Sequence, residues 1–154
     1  MTEFDIQDSL FKKFCELDEF AKENGYTGEP FLHFEEIDEE AVYSNVHFPN
    51  VPFEKPEDSW FDLTFRNNEP AKAAIGEKAQ NRFTGVLYID IYTPIDSGEE
   101  EARNKYEWIA RLFTCDLYFD DVVIMRTYIA TKENDDVNYR LQAAVEWTAD
   151  IDEE

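Results

Sequence analysis

Residues 83–93 alternate with the period of a β-strand. Leu87, Ile89 and Ile91 fall on one face, and Val86, Tyr88, Asp90 and Tyr92 on the other; side chains two apart share a face only where the chain is extended. Pro94 ends the run, since proline has no N–H for a ladder. A strand this regular needs partners, and the sequence supplies several. In residues 60–66, Phe61, Leu63 and Phe65 oppose Asp62, Thr64 and Arg66. Residues 122–130 and 138–148 flank the turn-rich Glu133-Asn134-Asp135-Asp136, which predicts an antiparallel hairpin. In its second arm Tyr139, Leu141, Ala143, Val145 and Trp147 alternate with Asn138, Arg140, Gln142, Ala144 and Glu146. Residues 41–48 form a further candidate strand, ended by Pro49-Asn50-Val51-Pro52.

Two stretches change to helical period. Over residues 3–24, Leu10, Phe14, Leu17 and Ala21 recur at helical spacing, and Gly25 supplies a stop. Ser97 and Glu100 form an S-x-x-E capping box for a second helix running to about residue 113, with Ala102, Tyr106, Ile109, Ala110 and Phe113 as its apolar stripe. Asp96, Glu99, Glu100 and Glu101 suit the positive end of that helix. Residues 25–41 read as a short extended piece and an acidic loop. Residues 67–81 form a long connection of small and polar residues, and 150–154 an acidic tail. The order is α, β, β, β, α, β, β. It predicts a single α+β domain over 1–154: a mostly antiparallel sheet of about five strands, an N-terminal helix, and a second helix between strands 3 and 4.

Charge narrows the function. Thirty-six acids against fourteen bases give a net charge of −22, which disfavours direct binding to duplex phosphate or an anionic membrane. A DNA-mimicking surface, and a channel wall that does not hold DNA, are both compatible with it. The five glycines make neither GxGxxG nor GxxxxGK, and there is no G-x-S-x-G or HExxH. His33 and His47 have no zinc-ligand spacing, and Asp116, Asp120 and Asp121 lack the glycine and terminal glutamate of an EF-hand. The cluster at 96–101 is accounted for by capping and the helix dipole. No catalytic residue, metal site or cofactor is assigned. Cys15 and Cys115 form no CxxC pair, and no apolar run approaches the ~18 residues of a membrane span. The expectation is a soluble chain in a reducing setting. Trp60, Tyr88, Tyr92 and Tyr128 place aromatic residues on strand faces that suit either a core or a subunit interface.

The block from Arg82-Phe83-Thr84-Gly85 through the strand, the loop Thr93-Pro94-Ile95-Asp96-Ser97-Gly98 and the helix ending in Leu112-Phe113 resembles the tail terminator proteins of long-tailed bacteriophages. Phe48-Pro49-Asn50-Val51-Pro52-Phe53 resembles the turn preceding their second strand, and the closing hairpin with Trp147 fits as well. The resemblance covers residues 42–148, with 25–41 as an insertion. It implies a virion protein of the tail or neck, assembled in the host cytoplasm. Such a protein forms a ring, usually a hexamer, that caps the tail tube, stops its polymerisation and meets the head connector while DNA passes through. Six copies at −22 each would carry −132. The candidate interface residues are Arg66, Arg82 and Arg111 as bases for a neighbour's acids, with Tyr88, Tyr92, Glu99 and Glu100, and the segments 67–81 and 97–113. The alternative is an acidic DNA-mimic inhibitor of a nucleic-acid-binding protein. A small hydrolase using two carboxylates of separated pKa is a third possibility.

Overall fold

A computed structural model of the chain describes residues 3–49, 51–68, 71–72, 80–96 and 98–152. Its centre is the strand first recognised in the sequence. β6 (Gln80–Pro94) pairs antiparallel with β9 (Asn138–Asp152) along its whole length, from Gln80 opposite Asp152 to Pro94 opposite Asn138. On its other side β6 takes β4 (Trp60–Asn67) and then β5 (Ala71–Lys72). Asn67 faces Gly85 while Ala71 faces Arg82, so four steps on one strand match three on the other. β5 thus lies along the same edge of β6, beyond the end of β4. β9 carries β8 (Val122–Asn134), which carries β7 (Tyr118–Phe119), while β3 (Val46–His47) lies parallel to β4 at the opposite edge. A separate two-stranded sheet joins β1 (Phe34–Ile37) to β2 (Glu40–Tyr43).

The helices are α1 (Glu3–Phe14), α2 (Leu17–Glu23) and α3 (Gly98–Leu112). Between α1 and α2 the Glu16 N–H donates to the Lys13 carbonyl, three residues back. This tighter turn breaks the predicted single helix in two. α2 ends at Gly25, whose φ of 95° is open only to glycine at low cost. The Tyr26 N–H reaches the Ala21 carbonyl and the Gly25 N–H the Lys22 carbonyl, closing a Schellman cap.

All three helices cover one face of the sheet. Ile6, Leu10, Phe14 and Leu17 of the first two, and Ala102, Ile109 and Leu112 of α3, share a core with Phe61, Leu63, Leu87, Ile89, Ile91, Leu141, Ala143, Val145 and Trp147. These strand residues have the parity expected of an inward face. Phe14 meets Phe61 edge-on with ring centres 5.4 Å apart.

Four expectations change. The α+β class and the mostly antiparallel pairing hold, with the short β3 alone running parallel to its neighbour, but the main sheet has seven strands among the described residues and not about five. The extra strands are two to four residues long, too short to show a period. The second long helix follows the strand at 83–93 as expected, but that strand is the sixth in the chain and not the third. The 25–41 stretch holds β1 and its turn. Finally, 41–48 divides into β2 and β3, because the buried Asn45 side chain leaves the ladder; it accepts from the His33 N–H at 2.8 Å and donates to the Phe31 carbonyl at 2.9 Å. Ser97, much of the 67–81 connection, Asn50 and the last two residues of the acidic tail lie outside the described residues.

Candidate assembly surface

The face of the sheet away from the helices contributes nothing to that core. Register sets it out in rows across β4, β6, β9 and β8: Trp60, Tyr92, Arg140 and Glu133; then Asp62, Asp90, Gln142 and Thr131; Thr64, Tyr88, Ala144 and Tyr128; and Arg66, Val86, Glu146 and Arg126. A further row places Arg82 beside Asp150. Trp60 stacks on Tyr92 at 4.1 Å and 6°, and Phe53 and His47 extend the aromatic pile towards β3. Next to the Arg82–Asp150 pair lies a shallow trough of about 590 Å³, bounded by Asn68, Arg82, Val86, Met125 and Asp150.

Most charges on this face are matched within the chain. Arg82 donates two hydrogen bonds to Asp150, at 2.9 and 3.3 Å, and Arg126 donates two to Glu146, at 2.6 and 3.1 Å. Arg140 bridges Asp90 and Glu133, each at 3.1 Å. His47 Nδ1 lies 3.3 Å from Asp62. Over these rows four arginines meet five carboxylates, whereas the whole chain has fourteen bases against thirty-six acids. This is a charge-balanced, aromatic area on a strongly acidic molecule.

Asp62 and Asp90 face each other across β4 and β6. Burial raises both carboxyls above the ordinary aspartate value, with Arg140 opposing the shift at Asp90 and His47 at Asp62. On the helical side Lys105 is buried over the Phe61 ring at 5.4 Å, and burial lowers its pKa. Its partner Glu101, 3.9 Å away, accepts a hydrogen bond from Ser59. That arrangement fastens the segment before β4 to α3.

The candidate interface residues divide between two surfaces. Arg66, Arg82, Tyr88 and Tyr92 share the helix-free face. Arg66 is exposed and has no ion pair among the described residues, whereas Arg82 is engaged by Asp150. Glu99, Glu100 and Arg111 lie on α3. Glu99 pairs with Arg103 and Lys132, which lower its pKa; Arg111 lies 4.3 Å from the Trp108 ring; and Glu100 is exposed. Sequence reasoning missed the Arg140 bridge and the Arg126–Glu146 pair. Parity alone placed Arg140 and Glu146 on this face, but their partners depend on register between strands up to fifty residues apart.

Among the described residues no helix is long and apolar enough to cross a membrane. None of the curated proteins compared matches the chain. A solved structure shares the fold at a TM-score of 0.59, covering 96% of each chain with 17% sequence identity. The sequence profile of a family described as phage tail terminator protein matches residues 33–147, beginning earlier than the 42 read from the sequence and taking in the β1–β2 hairpin. This match spans well over half of the 154 residues. The chain belongs to the phage tail terminator family.

Proposed function

We propose that this structural protein of the phage tail forms a closed ring, with a hexamer as the working number. The ring caps the finished tail tube, stops its polymerisation and presents a surface to the head connector, and it carries no catalytic activity. The observation that carries this reading is the charge-balanced sheet face. Two copies at −22 repel wherever their acidic surfaces meet, and they approach most easily where arginines and carboxylates already neutralise each other. The half-exposed Tyr88 and Tyr128 and the Trp60–Tyr92 stack give that area the aromatic content of an interface. With this face turned to neighbouring subunits, the remaining carboxylates line the outside and the lumen, where they would repel the phosphate backbone of passing DNA. Assembly takes place in the host cytoplasm and the product resides in the tail or neck of the virion.

The test is size and shape. Native mass spectrometry and negative-stain electron microscopy of the purified protein at high concentration should show a toroid. Tyr88→Glu should leave a folded monomer. A wild type that stays monomeric on its own and on tail tubes would overturn the ring, and rings that survive Tyr88→Glu would remove the sheet face from the interface.

A further inference from the structure

The β1–β2 hairpin stands apart from the main sheet. Among the described residues its four-residue strands pair only with each other, through Phe34 opposite Tyr43 and Ile37 opposite Glu40. Its base is tied down: Tyr43 packs against Phe48 at 5.8 Å, and Ser44 donates its N–H to the His33 carbonyl. Beyond the base no described residue covers it. Phe34 is 53% exposed, Ile37 51% and Val42 48%. Two-stranded hairpins are marginal in water without a surface to pack on. Among the described residues neither outer edge is paired with a further strand, and such an edge is the usual template for another chain.

Its charge indicates what that surface is. Residues 34–43 contain Glu35, Glu36, Asp38, Glu39 and Glu40 and no lysine or arginine. A second copy is a poor partner for so acidic an arm: three of the four arginines on its sheet face are held by the chain's own carboxylates, which leaves the exposed Arg66 as one base against five acids, and the chain as a whole is acidic. Register puts Phe34 on one side of the hairpin with Ala41 and Tyr43, and Ile37 and Val42 together on the other, so a complementary surface has an apolar strip for Ile37 and Val42, rimmed by lysines or arginines.

We propose that the β1–β2 hairpin is a docking arm for a partner other than the chain itself, a basic-rimmed apolar strip on the tail-tube protein. The proposal rests on the ring reading for the choice of partner. Ring contact and tube contact then use different surfaces: the neutral sheet face holds copies together and the acidic arm holds the tube.

The experiment uses the full chain and purified tail tubes. A double variant, Ile37→Thr with Val42→Thr, keeps strand-forming residues and leaves the core and the Phe34–Tyr43 contact at the hairpin base untouched. A second, Glu35→Lys with Glu36→Lys and Glu39→Lys, reverses the rim. Both should form rings as the wild type does, yet bind tubes at least tenfold more weakly, and wild-type binding should weaken as salt rises. Loss of rings in folded variants would make a second copy the occupant and overturn the proposal. Undiminished tube binding by both variants would overturn it too. Wild-type protein that neither closes into rings nor binds tubes would instead refute the functional reading itself, and the tube as partner with it.

Discussion

Gly85 sits where β6 passes between the end of β4 and Trp147, and no larger residue fits there. A Cβ on it would overlap the Arg66 carbonyl oxygen and lie 2.6 Å from Cζ2 of Trp147, itself stacked on Phe65 at 5.4 Å. Because the obstacles are a strand backbone and a packed indole, Gly85→Ala should cost about 3 kcal/mol, read as a lower urea midpoint. In the sequence Gly85 belonged only to a strand-entry motif; the indole across from it became visible with the register of β9. Arg140 makes a different argument. Asp90 is 6% exposed, and Arg140 is the base that offsets the burial of its carboxylate. Arg140→Ala should destabilise the protein by about 2 kcal/mol at pH 7.5. At pH 5 the loss should be smaller. An aspartate raised in the folded state loses stability as pH climbs from the ordinary value through the raised one, and removing Arg140 raises Asp90 further. Equal losses at both pH values would show that Arg140 acts through packing alone.

Two tight hairpin turns are each built from two consecutive acidic residues of positive φ: Asp38 at 54° with Glu39 at 68°, and Asp120 at 46° with Asp121 at 65°. This is the geometry of a type I′ turn, which normally selects Asn-Gly or Asp-Gly. Placing a side chain in the left-handed region costs roughly 1–2 kcal/mol. Asp121→Gly should therefore stabilise the protein by about 0.5–1 kcal/mol, after the greater chain freedom of glycine and the exposed Tyr118 hydroxyl bond to Asp121 are deducted. Val122, the next residue, is fully buried, so the gain should appear in global unfolding. Asp136→Gly, where φ is not positive, should not stabilise. These turns also explain what sequence reading missed. β4, β6, α3 and β9 were legible because eight or more residues repeat a period against the core. β1 and its pairing with β2 were not, since Phe34 and Ile37 are three apart among glutamates and the turn lacks its usual glycine. The type I′ geometry that joins them is set by the pairing of Ile37 with Glu40.

Across the whole molecule, the acidity first taken as a property of the entire surface is uneven. It is nearly cancelled on the sheet face and undiluted on the β1–β2 arm. Net self-repulsion lowers the stability of a compact chain and is screened by salt, so the melting temperature should rise between about 20 and 300 mM NaCl. It should also rise as pH falls from 8 towards 5. Protons taken up on the way reduce the net charge, and Asp62 and Asp90, both raised by burial, cost most when ionised. Further acidification should reverse the gain. Glu99 and Glu146, lowered by Arg103 and Arg126, contribute stability that is present above the ordinary glutamate value of about 4.3 and lost as pH falls through their lower folded values. The same electrostatics give the two proposed contacts opposite responses. Like-charged copies should close into rings more completely at 300 than at 30 mM NaCl, whereas an acidic arm on a basic strip should bind less tightly over the same range, since screening weakens repulsion and attraction alike. Sedimentation of the free protein and co-sedimentation with tail tubes across one salt series would measure both. Rings indifferent to salt would remove repulsion as the control on assembly; two responses of the same sign would mean that both contacts use surfaces of the same electrostatic character.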